Sequence, residues 1–196
     1  MKEKFSKIPA NTFKQLGVNA AMVLSDFDPD TGVVADSDII GATTGGVNFN
    51  AAPEYTDWGE DIDNCPKNTK ELKKVAEYEV KASGTFVTVD TASAKLLIGA
   101  ASITGDKITP LMDLDADNDF ADIWIIGDYS DQNGDTNGGF VACHIINALS
   151  TGGFSLVTAD EEKGKFAFEF TGHVSIEDQG TVPFELYIHA GTAEPT

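Results

Sequence analysis

The stretch DLDADNDFADIW, residues 113–124, has acidic residues at the spacing of a calcium-binding loop. Such a loop needs oxygen ligands at positions 1, 3 and 5, a glycine at position 6 and a bidentate glutamate at position 12. Asp113, Asp115 and Asp117 fill the first three positions, but Asn118 stands at position 6 and Trp124 at position 12. Because tryptophan offers no carboxylate, we predict a solvated acidic turn here and no bound metal.

The other residue types that support catalysis or metal binding do not fall into recognisable motifs. DYSDQNGDTNGG, which starts at Asp128, has turn chemistry and no terminal glutamate. The only histidines, at 144, 173 and 189, lie at no metal-ligand spacing and are predicted to be ordinary strand residues. Cys65 and Cys143 form no CxxC pair and are expected to be reduced and inert. Neither a GxSxG elbow nor a phosphate-binding loop occurs.

Paired carboxylates could in principle carry out hydrolysis, and the chain offers Glu60, Asp61 and Asp63, or Glu169 and Glu185. Acidic residues are so frequent, however, that some will face each other by chance. The sequence therefore predicts a protein that is not an enzyme, with no catalytic residue, metal or cofactor.

The charge balance bounds the possible partners. The chain of 196 residues has 32 acidic and 13 basic side chains and a formal charge of −19, which argues against binding nucleic acid through its phosphates. Its hydrophobic content of 41% and aromatic content of 9% are too high for a disordered acidic chain. We expect one folded domain over residues 1–196, made in a cytoplasm, since no segment has the pattern of a signal peptide or a membrane span.

The sequence predicts that strands position most of the candidate functional residues. In residues 165–189, apolar and polar residues alternate on both sides of the turn EDQG, which predicts a long carboxyl-terminal hairpin. Shorter strands are predicted at residues 19–27, 46–51, 78–89, 123–129, 140–147 and 154–158, separated by turn signals. The fold class is therefore mainly β, a sandwich or barrel.

Two segments depart from the strand pattern. Residues 90–102 favour a helix that Asp90 or Thr91 can cap. Residues 52–74 fit neither periodic template and are predicted to be a long extended arm loop, because they have more apolar residues than a solvated linker needs. An acidic β body with such an arm and a hydrophobic hairpin is suited to self-association through strand edges.

Several segments in order along the chain carry a family resemblance. They are ANTFKQLGVNAAMVLSDFDPDTG, GATTGGVNF, GEDIDNCPKNTKELKK, SGTFVTVD, DIWIIGDYSDQNG, NALSTGGFSL and FEFTGHVSIEDQGTVPFELYI. They are distributed in order over about residues 9–188 and resemble the major tail protein of siphophages and prophages of Gram-positive bacteria. The match lies in the order and spacing of the segments, since no single motif in them is catalytic.

This resemblance implies a tail tube subunit of the virion. Members of the family form hexameric rings of β-sandwiches with a flanking helix, their strands join into a barrel that lines the lumen, and the rings stack into a tube. The implied partners are other copies of the chain, the tape measure protein, the tail terminator and distal tail proteins, and double-stranded DNA in transit, with no membrane. Residues 1–18 are expected to lie across subunits.

The resemblance also assigns assembly roles to individual residues. The arm to the neighbouring ring would use Tyr55, Asp57, Trp58, Glu60, Asp61, Ile62, Asp63 and Pro66. The sheet between subunits would use Phe166, Phe168, Phe170, Val182, Phe184 and Leu186. Six copies at −19 each give 6 × −19 = −114 per ring, so we expect an acidic lumen along which DNA slides without adhering.

Three alternatives remain at this point. The chain could be the tube subunit of a contractile tail or a bacteriocin-like particle, or a tail terminator of the same fold. It could also be a carbohydrate-binding β-sandwich with exposed aromatic residues, for which Trp58 and Trp124 are the available tryptophans. We expect Trp124 to be a core residue and Trp58 to anchor the arm.

Overall fold

The computed structural model describes residues 8–129 and 138–191. These residues form eleven strands and one α-helix, together with short 3-10 turns. The elements are β1 Gly17–Leu24, β2 Ile39–Gly41, β3 Thr43–Asp57, β4 Lys73–Phe86, α1 Thr91–Ile98, β5 Ala101–Thr104, β6 Lys107–Pro110, β7 Ala121–Tyr129, β8 Gly139–Ser150, β9 Ser155–Val157, β10 Lys165–Gly172 and β11 Phe184–His189. The predicted mainly β class is confirmed.

One antiparallel sheet organises the molecule in the order β2-β1-β7-β8-β10-β4-β3, while β11 pairs with β8 and β9 pairs with β10. The two strands at the ends of this order, β2 and β3, are consecutive in the chain and separated only by Ala42. Residues 39–57 therefore pair with β1 through β2 and with β4 through β3. β5 and β6 form a separate hairpin.

Alternation along β7 and β8 builds two cores on opposite faces of the sheet. Ile123, Ile125 and Ile145 join the main core with Phe168 and Phe170 from β10. On the other face, Trp124, Ile126 and Ala142 pack with Leu24 and Phe27. The segment between β1 and β2 covers this second core through Phe27 and Val34. The prediction that Trp124 is a core residue is confirmed, since its exposure is 7%.

The helix α1 begins and ends at residues with specific local chemistry. Asp90 caps it: the Ser93 N–H donates to Asp90 Oδ1 at 2.7 Å, and the Asp90 N–H donates to the Ser93 hydroxyl at 2.8 Å. The Ser93 hydroxyl also donates to Asp90 Oδ1 at 2.7 Å. The bonds to this carboxylate, first from the Ser93 N–H and then from the Ser93 hydroxyl, hold the pKa of Asp90 below its ordinary value. The helix ends at Gly99, whose φ of 85° is easy for glycine. The predicted helix is confirmed, but residues 101–102 belong to β5.

The predicted carboxyl-terminal hairpin over residues 165–189 is wrong. β10 and β11 do not pair with each other; β10 pairs with β4, β8 and β9, while β11 pairs with β8. Both strands have the predicted alternation, but alternation identifies the buried face and does not identify the neighbouring strand. β10 also ends at Gly172, so His173 lies outside the strand in which it was predicted.

The predicted structureless loop over residues 52–74 is also partly wrong. β3 continues to Asp57 and β4 begins at Lys73, so only residues 58–72 connect them, with a 3-10 turn at Lys70–Leu72. Other strand positions were predicted within a few residues, whereas the short β2, β5 and β6 were not predicted. At the amino terminus, a 3-10 turn at Thr12–Lys14 precedes β1. Most of the second acidic segment, residues 130–137, lies outside the described residues.

Candidate assembly surfaces

The β3–β4 hairpin projects beyond the rest of the sheet. Lys81–Phe86 of β4 pairs with β10 as well as β3, whereas residues 73–80 pair with β3 alone. We call residues 52–79 the arm. Both of its strands therefore have one edge that is unpaired within the described part of the chain, and such edges are templates for pairing with another copy.

A β-bulge keeps the apolar side chains of the arm on one face. Glu54 lies opposite Glu77, but Tyr55 lies opposite Val75, so Ala76 is an extra residue in β4. Directly paired residues lie on the same face. Val75 therefore shares the face of Tyr78, although the two are three positions apart in a strand whose faces alternate every residue.

This apolar face runs from the core into solvent. Tyr78 packs on Phe184 of β11 with ring centroids 5.7 Å apart, and Phe49 packs on the same ring at 6.0 Å. Farther along the arm, Tyr55 is 60% exposed and Val75 is 51% exposed. The face that forms core at one end is thus uncovered at the other.

The loop at the end of the arm is ordered by its own hydrogen bonds. Asp57 accepts from the backbone N–H of Gly59 at 3.0 Å and of Asn68 at 3.1 Å. The Trp58 N–H donates to the Leu72 carbonyl at 3.1 Å and closes the loop. Asp57 is therefore a structural residue of the loop as well as a predicted contact residue.

The remaining predicted arm residues are presented to solvent. Trp58 is 67% exposed and Ile62 is 52% exposed. Exposed positions are also taken by Glu60, Asp61, Asp63 and Pro66. The structure thus brings the predicted arm residues together on one projecting element. Sequence reasoning missed Val75, because the bulge that turns it to the apolar face leaves no signal in the residue pattern.

The arm has separated charges. Glu60, Asp61 and Asp63 lie in the first half of the loop 58–72, Lys67 and Lys70 lie in its second half, and Lys73 and Lys74 begin β4. Among the described residues, only Lys70 of these lysines forms an ion pair, an exposed one with Glu71 at 3.5 Å. Four of the 13 basic residues of the chain therefore stand together on the arm.

β11 presents a second free edge. Its hydrogen-bonded partner within the described residues is β8. Leu186 is 53% exposed and Ile188 is 59% exposed, and both lie on the face of Phe184. Phe184 and Leu186 are thus placed where a further strand could be added, as predicted for a sheet between subunits, and this role stays a prediction. Val182 is half-buried just before the strand.

The same role predicted for Phe166, Phe168 and Phe170 stays a prediction, which the burial and pairing of β10 do not favour. Phe168 is 3% exposed and Phe170 is fully buried, and both belong to the core of their own chain. Phe86 stacks on Phe168 with centroids 4.4 Å apart. Because β10 pairs with β4 on one side and with β8 and β9 on the other, it offers little edge to a neighbouring copy.

A polar cluster fastens β11 to the sheet. His144 stacks on Trp124 with centroids 4.0 Å apart and nearly parallel rings. Its Nδ1 lies 3.4 Å from Glu185 Oε2, and its Nε2 lies 3.2 Å from Asp122 Oδ2 at an angle that makes no hydrogen bond. The Tyr187 hydroxyl donates to Glu185 at 2.6 Å. The hydrogen bond from Tyr187 lowers the pKa of Glu185, and the contact with His144 lowers it further. The same hydrogen bond raises the pKa of Tyr187.

The acidic segment after β6 is an internally bonded turn. Asp115 accepts from the Asp117 N–H at 3.0 Å and from Asn118 Nδ2 at 2.8 Å, and these bonds lower its pKa, the Asn118 bond most. Asp119 is buried and pairs with Lys95 of α1 at 3.6 Å. Within residues 8–129 and 138–191, no three His, Cys, Asp or Glu side chains are arranged to hold a metal ion.

Burial raises the pKa of the Cys143 thiol, and in the described structure Cys65 and Cys143 are both free. No helix among the described residues is long and apolar enough to cross a membrane. In the comparisons with known proteins, no family model matches the chain. The search of curated proteins gives no match either.

Proposed function

We propose that this chain is the tube subunit of a long non-contractile phage or prophage tail, in which hexameric rings stack into a conduit for DNA. The observation that carries the proposal is the arm, an extended hairpin with a continuous apolar face that its own chain leaves uncovered. Tyr55, Trp58 and Val75 are each more than half exposed on it. The family resemblance of residues 9–188 supports the same function.

Assembly must overcome charge repulsion in this proposal. Each copy has a net charge of −19, and like charges oppose close packing of copies. Apolar contacts of the arm and strand pairing at β11 supply the opposing free energy. The acidic wall gives passing DNA no counterion release to hold it, so the charge that opposes assembly serves the conduit.

The remaining partners follow from this role. The tube would assemble on a tape measure protein, contact a tail terminator and distal tail proteins, and reside in the virion tail after assembly in the host cytoplasm. A tube of a contractile or bacteriocin-like particle uses the same surfaces. A carbohydrate-binding module is less well supported, because Trp124 is buried in the second core and Trp58 stands alone at the end of the arm.

A trimmed arm tests the proposal. Asp57 and Lys73 are the last paired residues of the hairpin, so an Asn-Gly turn in place of residues 58–72 can close the two strands. We expect this variant to remain a folded monomer and to form no tubes by electron microscopy. Tubes of wild-type length from the trimmed variant would contradict the proposed role of the arm.

A further inference from the structure

We propose that the exposed apolar segment 111–114, at the helix end of the fold, is the docking surface for the arm of a second copy. This inference rests on the proposed function and names the partner surface of the arm. Met112 is fully exposed, and Leu111 and Leu114 are each 50% exposed. A contiguous exposed apolar patch that polar residues border is typical of an interaction site.

The segment is fixed at both ends. The Leu111 N–H donates to the Ala100 carbonyl at 2.9 Å. On the other side, the Asp115 N–H donates to Asp119 Oδ2 at 2.9 Å, and Asp119 is itself buried against Lys95 of α1. The apolar side chains are therefore presented from a bonded support, which lowers the entropy cost of binding a partner.

The segment and the arm lie at opposite ends of the molecule. β4 begins at Lys73 in the arm and ends at Phe86, just before α1, and a strand of this length spans roughly 40 Å at about 3.3 Å per residue. Lys95 of α1 contacts the Asn118 carbonyl and Asp119, which places the segment at the helix end. Two complementary surfaces at opposite ends of one chain generate a head-to-tail contact, and such a contact repeats along a filament.

The lysines of the arm are opposite in charge to the aspartates of the segment, although residues 52–79 as a whole have eight acidic and four basic side chains. Asp113 and Asp117 flank the apolar segment, are exposed and form no salt bridge among the described residues. The arm presents Lys67, Lys73 and Lys74, which likewise form no salt bridge within the described chain. In a copy-to-copy contact, these groups would surround apolar contacts between Trp58 or Ile62 and Met112.

A second acidic surface lies between β1 and β2, in residues 25–38. The Phe27 side chain of that segment packs in the second core and is 5% exposed. Val34 packs against the same core. The segment's one large apolar side chain that is mostly exposed is Val33. Segment 111–114 is a better partner than residues 25–38 because it has three large, exposed apolar side chains beside its acidic charge.

The test compares charge reversals at the two acidic surfaces in the full chain. Asp113→Lys with Asp117→Lys changes the docking surface and leaves the turn-forming Asp115 and Asp119 intact. The matched control is Asp26→Lys with Asp36→Lys, which alters the net charge equally. We expect the first pair to raise the critical concentration for tube growth about tenfold or more, equivalent to about 1.4 kcal/mol per contact, and the control to leave it unchanged or lower it.

A charge swap between the two surfaces is the second part of the test. Adding Lys67→Asp and Lys74→Asp to the Asp113→Lys, Asp117→Lys chain should restore tube growth at least in part. If the docking and control variants assembled equally, or if only the control lost tube growth, the docking inference would be overturned. Tubes of the wild-type chain would still support the proposed function in either case. A wild-type chain that forms neither rings nor tubes at any salt concentration would overturn both.

Discussion

Tyr55 lies directly opposite Val75 across the arm, and both side chains are more than half exposed. This pair continues the face on which Tyr78 packs against Phe184 in the core. An isolated two-stranded hairpin is only marginally stable in water, so an arm with its apolar face uncovered gains most from a partner. The pair therefore belongs to a face that forms core within one copy and is available for contact with another copy.

Replacing this pair should separate folding from assembly. We expect Tyr55→Ser with Val75→Ser to abolish tubes, because it removes the apolar contact area of the arm. The monomer should keep its stability within about 0.5 kcal/mol per exposed substitution, or about 1–2 °C in Tm for each. Thermal unfolding and electron microscopy make the comparison, with Thr56→Ala, at an exposed neighbouring position on the opposite face, as control. Tubes of normal length from the double variant would exclude the pair from the interface.

The burial of Phe170 in β10 makes a stability prediction. Phe170 is fully buried in the core of its own chain, so Phe170→Ala should cost the monomer about 3–5 kcal/mol in the free energy of unfolding. Phe154→Ala is the control, since Phe154 is 45% exposed and its loss should cost far less. Denaturant unfolding of the monomeric protein measures both. A Phe170→Ala monomer as stable as wild type would return β10 to the subunit interface.

The cap of α1 predicts a pH dependence. The pKa of Asp90 is lower in the folded chain than its ordinary value of 3.8, so its contribution is present above pH 4 and is lost as the pH falls through the folded-state pKa. Asp90→Ala should cost about 1 kcal/mol at pH 7. Asp90→Asn keeps a capping side chain but does not titrate.

The comparison of these two variants is made by urea unfolding at several pH values. We expect the advantage of wild type over Asp90→Asn to shrink below about pH 4. An advantage that stayed constant down to pH 2 would show that the charge of Asp90 does not stabilise the helix.

Salt should promote assembly. The charge of −19 on each copy repels other copies, and at physiological ionic strength this repulsion is screened beyond about 8 Å. Contact pairs such as the lysines of the arm with Asp113 are screened less, because they are partly desolvated in the interface. Light scattering at a fixed protein concentration should therefore rise between low and moderate salt. Tubes that dissolved over this range would identify ion pairs as the dominant attraction.

Local sequence signals predicted the parts of the fold that depend on neighbouring residues. The alternation in β10 and β11 and the cap at Asp90 were both visible in the sequence, because strand faces and caps are set within a few residues. Strand partners were not predictable in this way: β8 contacts β7, β10 and β11 through residues far apart in the chain. The hairpin expected from two adjacent alternating runs was wrong for this reason.

In the arm, too, local features were predictable from the sequence and strand pairing was not. Its apolar and charged residues marked residues 52–74 as an element that docks on something, but the strand pairing of Asp57 with Lys73 was hidden. The bulge at Ala76 shifts the alternation by one residue, so Val75 could not be assigned to the apolar face from its position alone. Segment 111–114 was missed because its apolar residues stand among the aspartates that suggested a metal loop.

Cryo-electron microscopy of the purified protein at moderate salt tests the central claim most directly. The account predicts hexameric rings stacked into hollow tubes, with the arm of each copy on the adjacent ring and an acidic channel surface. A monodisperse monomer at every protein and salt concentration, or tubes with a basic channel, would contradict it.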